Sequence, residues 1–341
     1  MATRPQRSSD QPVPQPVDRL EVQVLVDNVT DQLSTNPDHV HSELTCLMKA
    51  GMTEWSGEAI CCAHFGLSLV LTASSGNARH TLLFDSGPEG YAVERNGARL
   101  NIDFGTIESV VLSHGHWDHG GGLLKALELI RARNGGREIP FYMHPGMFRR
   151  RALKLPDGKM LPYKDLPRVE ELSKKGATVT SSTEPQLLHD SFFYVSGEIP
   201  RVTAYERGLP NHMRQTEDGS GWEPDPLIMD ERFLAVNVRG KGLVVFSACS
   251  HAGVVNVLTH ARSTFPDTAL YAVMGGFHLS GPGPEKIIPE TVQGLKAFDL
   301  QMIVPAHCTG WRAVTALVDT FGEQVVVPSA VGKQYVFHGK E

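Results

Sequence analysis

The chain has 341 residues, 41% of them hydrophobic and 21% charged, enough to bury a large core in one α/β domain or two modest ones. Its formal net charge of −6 argues against a broad polyanion-binding face and hence against a nucleic-acid enzyme; a small-molecule substrate is the expected partner. No apolar run has the length of a membrane span, and five cysteines without CxxC spacing suit a reducing compartment, so a cytoplasmic location without a membrane partner is expected.

Residues 1–18, rich in Pro, Gln and Ser, read as a disordered tail, and residues 19–341 as a single domain. Runs of β-branched and apolar residues predict strands over 20–27, 67–72, 81–85, 109–112 and 140–143. A helix is expected to begin in a glycine run, with Leu123, Leu124, Leu127 and Ile130 forming its apolar stripe. The second half repeats this style, with strands over 192–195, 233–238, 243–247, 270–273 and 302–304 and helices over 252–263, 285–298 and 313–321. Segments 145–190 and 206–230, rich in Pro, Gly and charge, read as insertions over the rim of the core. Two strand-rich halves finished by helices predict two sheets packed face to face with helices outside.

The chemistry concentrates in Ser113-His114-Gly115-His116-Trp117-Asp118-His119-Gly120-Gly121-Gly122, where an apolar strand ends. In extended backbone His114 and His116 project to the same side, and a following helical turn would aim Asp118 and His119 at the same point. Three imidazoles and a carboxylate suit zinc, iron or manganese, and four such groups in six residues exceed what one metal centre takes from one loop. Two divalent ions are therefore expected, with zinc ahead of iron or manganese. Further candidates stand at later strand ends: His251 in Cys249-Ser250-His251-Ala252-Gly253, His278 in Gly275-Gly276-Phe277-His278-Leu279, and His307 in Pro305-Ala306-His307-Cys308-Thr309-Gly310. Cys249 reads equally well as a soft ligand or as a buried, unreactive thiol.

The His114-to-Gly122 motif resembles the HxHxDH signature of the metallo-β-lactamase superfamily, and Leu82-Leu83-Phe84-Asp85-Ser86-Gly87 is similar to its preceding aspartate motif. The later motifs, with His64-Phe65-Gly66-Leu67-Ser68 and Gly197-Glu198-Ile199-Pro200-Arg201, resemble the branch of dihydropterin-ribofuranosylaminobenzene-phosphate synthase-like proteins, from about residue 20 to the end. The resemblance implies a four-layer αββα sandwich and a binuclear metal site, with Asp85 organising the metal loop rather than ligating. Two departures stand out. The loop 196–200, where most relatives carry a further histidine ligand, has none, and Ala248-Cys249-Ser250-His251 replaces the expected bridging aspartate.

A binuclear hydrolase acting on a small ester, lactone or phosphoester through a metal-bridging hydroxide is the leading expectation. Asp118 and His278 are its expected catalytic residues, and His114, His116, Asp118, His119, His251, His278 and His307 its metal-site residues. The branch resemblance implies an alternative, a transferase joining a dihydropterin diphosphate to a phosphoribosyl-linked aromatic amine. The basic run Phe148–Lys154 offers that enzyme a phosphate grip, or else forms the solvated face of a lid helix. A metal-loaded sensor without turnover is the third reading. Oligomeric state is not legible.

Overall fold

In the computed structural model, which describes residues 13–340, the run Arg19–Val26 pairs antiparallel with Ser68–Ser75 on one side and Gln334–His338 on the other. Ala78–Phe84, Ile107–Val111, Ile139–Met143 and Ala177–Ser181 extend this eight-stranded sheet, pairing in parallel from Ala78–Phe84 onward. A second, six-stranded sheet runs in the order Gln186–Leu188, Phe193–Val195, Leu234–Val238, Gly242–Ser247, Leu270–Gly276 and Met302–Ala306, and its last three strands are parallel.

Alternation along the strands decides the layers. Leu20, Val22 and Val24 meet Leu234, Val236 and Phe246 in one core between the sheets. Val110 and Leu112 turn outward beneath helices Gly90–Arg99 and Leu123–Arg133. Val245, Val273 and Ile303 do the same beneath helices Val254–Thr264, Ile288–Leu295 and Trp311–Phe321. The result is the four-layer αββα sandwich. Leu123, Ala126, Leu127 and Ile130 give their helix a buried stripe at helical spacing, and left-handed Gly135 and Gly136 follow its end. Truncating fully buried Leu127 to alanine would cost about 2–5 kcal/mol.

Several sequence expectations are redrawn. Of the expected tail, residues 1–12 lie outside the described residues, whereas Val17 is fully buried and its N–H donates to the Asn237 carbonyl (2.8 Å). The expected helix over 285–298 is α-helical only over Ile288–Leu295, with 3-10 turns at Pro284–Ile287 and Lys296–Phe298. The 145–190 segment is not all insertion, because Ala177–Ser181 and Gln186–Leu188 are edge strands of the two main sheets. What remains of it joins the other insertion in a four-stranded antiparallel sheet, ordered Trp222–Pro224, His212–Gln215, Arg151–Lys154 and Met160–Pro162. The basic run is thus no helix face. Arg149 pairs with Glu217 (2.7 Å), Arg150 with Asp165 (3.1 Å) and Arg151 with Asp230 (2.6 Å), so its three arginines are already paired. Among the described residues no helix is long and apolar enough to cross a membrane.

Candidate metal centre

The parallel strands Ala78–Phe84 and Ile107–Val111 deliver Asp85 and the Ser113–His119 loop to one rim of the sandwich. Ends of Gly242–Ser247, Leu270–Gly276 and Met302–Ala306 deliver Cys249 and His251, then His278, then His307 to the same rim. The turn Trp117–Gly120 is helical, as Asp118 and His119 require to face back toward His114. Close packing holds the loop: a Cβ on Gly115 would stand 2.3 Å from the Met147 carbonyl oxygen, and one on Gly121 1.8 Å from that of Pro88. Asp85, Ser250, His278 and His307 all adopt positive φ, a strained backbone typical of functional sites in non-glycine residues.

Two groups of inward-facing atoms result. In the first, His114 Nε2 lies 3.0 Å from His116 Nδ1, which lies 3.2 Å from His251 Nε2. In the second, Asp118 Oδ2 lies 3.2 Å from His307 Nε2 and 3.9 Å from His119 Nε2. Cys249 stands between them, its Sγ 3.1 Å from that of Cys308 and 3.5 Å from His278 Nδ1. His278 packs its ring 4.4 Å from that of His251 and is half-buried at the edge of the group.

The outer ring nitrogens decide the tautomers. His119 Nδ1–H donates to Asp85 Oδ2 (2.7 Å), and His307 Nδ1–H to Asn28 Oδ1 (3.0 Å). Asp85 Oδ2 also accepts the Ser113 hydroxyl (2.7 Å), whose oxygen is then free to accept His114 Nδ1–H (2.9 Å). His212 Nδ1–H donates to the Asp225 carbonyl (2.8 Å), leaving its Nε2 to accept His116 Nε2–H at 3.0 Å. His114, His116 and His119 therefore turn a bare nitrogen inward, the form a metal ligand needs, and His307 turns its Nε2 toward Asp118 Oδ2. His119 Nε2 and His307 Nε2 are buried without a hydrogen-bond partner, as is the outer Nδ1 of His251.

Electrostatics favour the same state. Burial first, then mutual repulsion among the rings, holds His114, His116 and His251 well below the usual imidazole range, so they are neutral. Burial also works to lower His307, but Cys308, Asp118 and Asp27 push it up to about 9, a position that attracts positive charge. Burial pushes the Cys249 thiol up. The unpartnered Nε2 atoms of His119 and His307, the neutral rings of His114, His116 and His251 and a buried carboxylate fit divalent cations.

The structure brings together every residue singled out in the sequence: His114, His116, Asp118, His119, His251, His278 and His307. It adds three that sequence reasoning missed. His212 comes from the rim insertion and meets the outer nitrogen of His116. Asp230 Oδ2 accepts the Gly115 N–H (2.8 Å), and Glu231 accepts the N–H groups of His251 (2.8 Å) and Ala252 (2.6 Å), so adjacent carboxylates brace both ligand loops. The charged Asp230-Glu231-Arg232 run directly before a buried strand was their only sequence signal.

An αββα sandwich with this histidine–aspartate rim defines the metallo-β-lactamase superfamily, whose sequence profile matches residues 65–191, and the chain belongs to it. Its fold is shared by the solved structure of Tm1679, a metal-dependent hydrolase of the beta-lactamase superfamily, with TM-score 0.66 and 20% identity over 94% of this chain and all of that one. Within the superfamily the chain falls in the branch of 7,8-dihydropterin-6-methyl-4-(β-D-ribofuranosyl)-aminobenzene-5'-phosphate synthase-like proteins. It is 30% identical to that synthase of Methanocaldococcus jannaschii over 260 residues, 76% of this chain and 85% of the relative. An uncharacterised protein of the same organism is 27% identical over 250 residues, covering 69% of this chain and 82% of that protein.

Proposed function

We propose that the protein is a binuclear metal-dependent hydrolase of a small ester, lactone or phosphoester. The observation that carries this reading is the pair of groups, His114/His116/His251 and Asp118/His119/His307, whose inner ligand-type atoms converge, with His119 Nε2 and His307 Nε2 buried and unpartnered. Two divalent ions, zinc ahead of iron or manganese, would there lower the pKa of a water toward neutrality and polarise the substrate oxygen. Asp118, held charged despite its burial by His119 and His307, orients the attacking water and accepts its hydrogen bond. His278 belongs to substrate: it lines a cleft of about 250 Å³ with His251, Phe277, Tyr205 and Arg207, and is placed to donate a proton to the leaving oxygen. Arg207 bonds a backbone carbonyl (Ala204, 2.7 Å) rather than a carboxylate, and its charge suits an anionic substrate.

A second reading is favoured by one observation, the identity to the pterin synthase: the branch resemblance implies a transferase in which an aromatic amine would displace diphosphate from a dihydropterin diphosphate. The buried pairing of Arg151 with Asp230 weakens it, since it removes that arginine of the basic run as a phosphate grip. The test is a zinc- or manganese-loaded protein assayed in parallel on nitrophenyl esters, a lactone and bis(nitrophenyl) phosphate, and on the pterin pair with diphosphate detection. Hydrolysis that falls about 100-fold in His278→Gln, with metal content retained, supports the first reading. Diphosphate release without hydrolysis supports the second, and two bound metals with neither activity leaves a sensor.

A further inference from the structure

At the opposite rim of the sandwich, a second set of ligand-type side chains converges. His80 and Glu108 stand at the starts of the parallel strands whose far ends carry Asp85 and Ser113, about 16 Å away at the usual rise per residue. His189 and Asp190 come from the second sheet, in the turn between Gln186–Leu188 and Phe193–Val195. Glu108 Oε2 lies 2.7 Å from His80 Nδ1 and 3.2 Å from His189 Nδ1. These three atoms sit within 4.8 Å of one another, close enough to share one ion.

The outer nitrogens are again engaged. His80 Nε2 lies 2.9 Å from Asp190 Oδ2, and His189 Nε2 2.7 Å from the buried Ser109 hydroxyl. A ring between two carboxylates holds its second nitrogen against Glu108 only through a proton or a cation. The turn is built to present these groups, since His189, Asp190 and Ser191 all have positive φ, an arrangement costly for three consecutive non-glycine residues. The imidazoles are 20% and 15% exposed and Glu108 41%, leaving a face open to water and to metal entry.

We infer that His80, Glu108 and His189 form a separate site for one divalent transition cation of the zinc class, with Asp190 and Ser109 orienting the two rings. Two imidazole nitrogens and one carboxylate select zinc, nickel or copper over calcium or magnesium. Carboxylate–histidine–metal relays of the kind Asp190 makes with His80 are the usual support of such ligands. Because the ligands come from both sheets, the ion would staple the 188–192 turn of one sheet to the strand starts of the other.

The test uses full-length protein with its catalytic centre metal-loaded, dialysed against buffered zinc chloride and compared with His189→Ala and Glu108→Gln. Each variant should hold about one zinc ion per chain fewer than wild type, with turnover unchanged and no zinc-dependent rise in melting temperature. Glu108→Gln keeps both rings and the side-chain shape, so a normal circular dichroism spectrum with a lost ion separates ligation from misfolding. Zinc-edge anomalous diffraction should place a peak between His80 Nδ1 and His189 Nδ1. Equal zinc counts in wild type and both variants, or no peak there, would overturn the proposal.

Discussion

His212→Ala tests whether the four-stranded rim sheet sets the tautomer of the candidate ligand His116. Removing this fully buried ring strands two groups, the His116 Nε2–H and the Asp225 carbonyl. Each costs about 1–3 kcal/mol if left dry, with the lower end favoured if water enters the space. Freed of its acceptor, His116 can turn Nδ1 away from His114 and His251, and losing such an outer partner typically weakens a metal site about 10–100-fold. That corresponds to about 1.4–2.8 kcal/mol of binding free energy. The assay is a zinc titration against a chromophoric chelator, with circular dichroism to confirm folding. His212→Gln, whose amide oxygen can still accept from His116, should recover most of the affinity. If His212→Ala and His212→Gln both abolish one metal equivalent, as His116→Ala should, then His212 is a direct ligand and the relay is wrong. Wild-type affinity in His212→Ala would refute it from the other side.

Further outcomes follow from buried charges. Asp85→Asn should cost at least about 1.5–3 kcal/mol in urea unfolding, since the carboxylate accepts the Ser113 N–H and hydroxyl and His119 Nδ1–H, and metal should be lost with it. Arg151→Met leaves Asp230 buried without its cation and should cost about 3–5 kcal/mol, while Arg151→Met/Asp230→Asn should lie closer to wild type because no charge is stranded. Burial pushes Glu206 up to about 7, against 4.5 when exposed, although it caps the start of helix Val254–Thr264 through the Val255 and Asn256 N–H groups. The folded state thus holds this proton more tightly than the unfolded chain. Stability should fall by on the order of 3 kcal/mol as pH rises from about 4.5 to 7 and then level off. Glu206→Gln should flatten that slope in urea titrations at stepped pH.

The core of the fold was legible because its strands are short apolar runs ending at rim residues: the stretch 107–111 leading into Ser113–His119 is an example. Local pattern also exposed the candidate metal rim, since chelating side chains at strand ends have few other uses. What escaped depended on contacts between distant segments. His212 sits in an unremarkable polar stretch, and only antiparallel pairing of His212 with Leu153 carries it over the centre. The strand Gln334–His338 was missed at the chain's end although its Tyr-Val-Phe run is fully buried. Arg151 lay within a run that looked solvated, because nothing local announces Asp230 as its partner 79 residues away.

The lid sheet has a consequence for how such an enzyme could be remade. Its strands carry His212 and Arg151, and through Asp230 they reach the backbone of Gly115 itself. Exchanging this sheet for another would therefore also exchange the support of the His114–His119 loop. A transplant that omits either residue should leave the His114–His119 loop less well held.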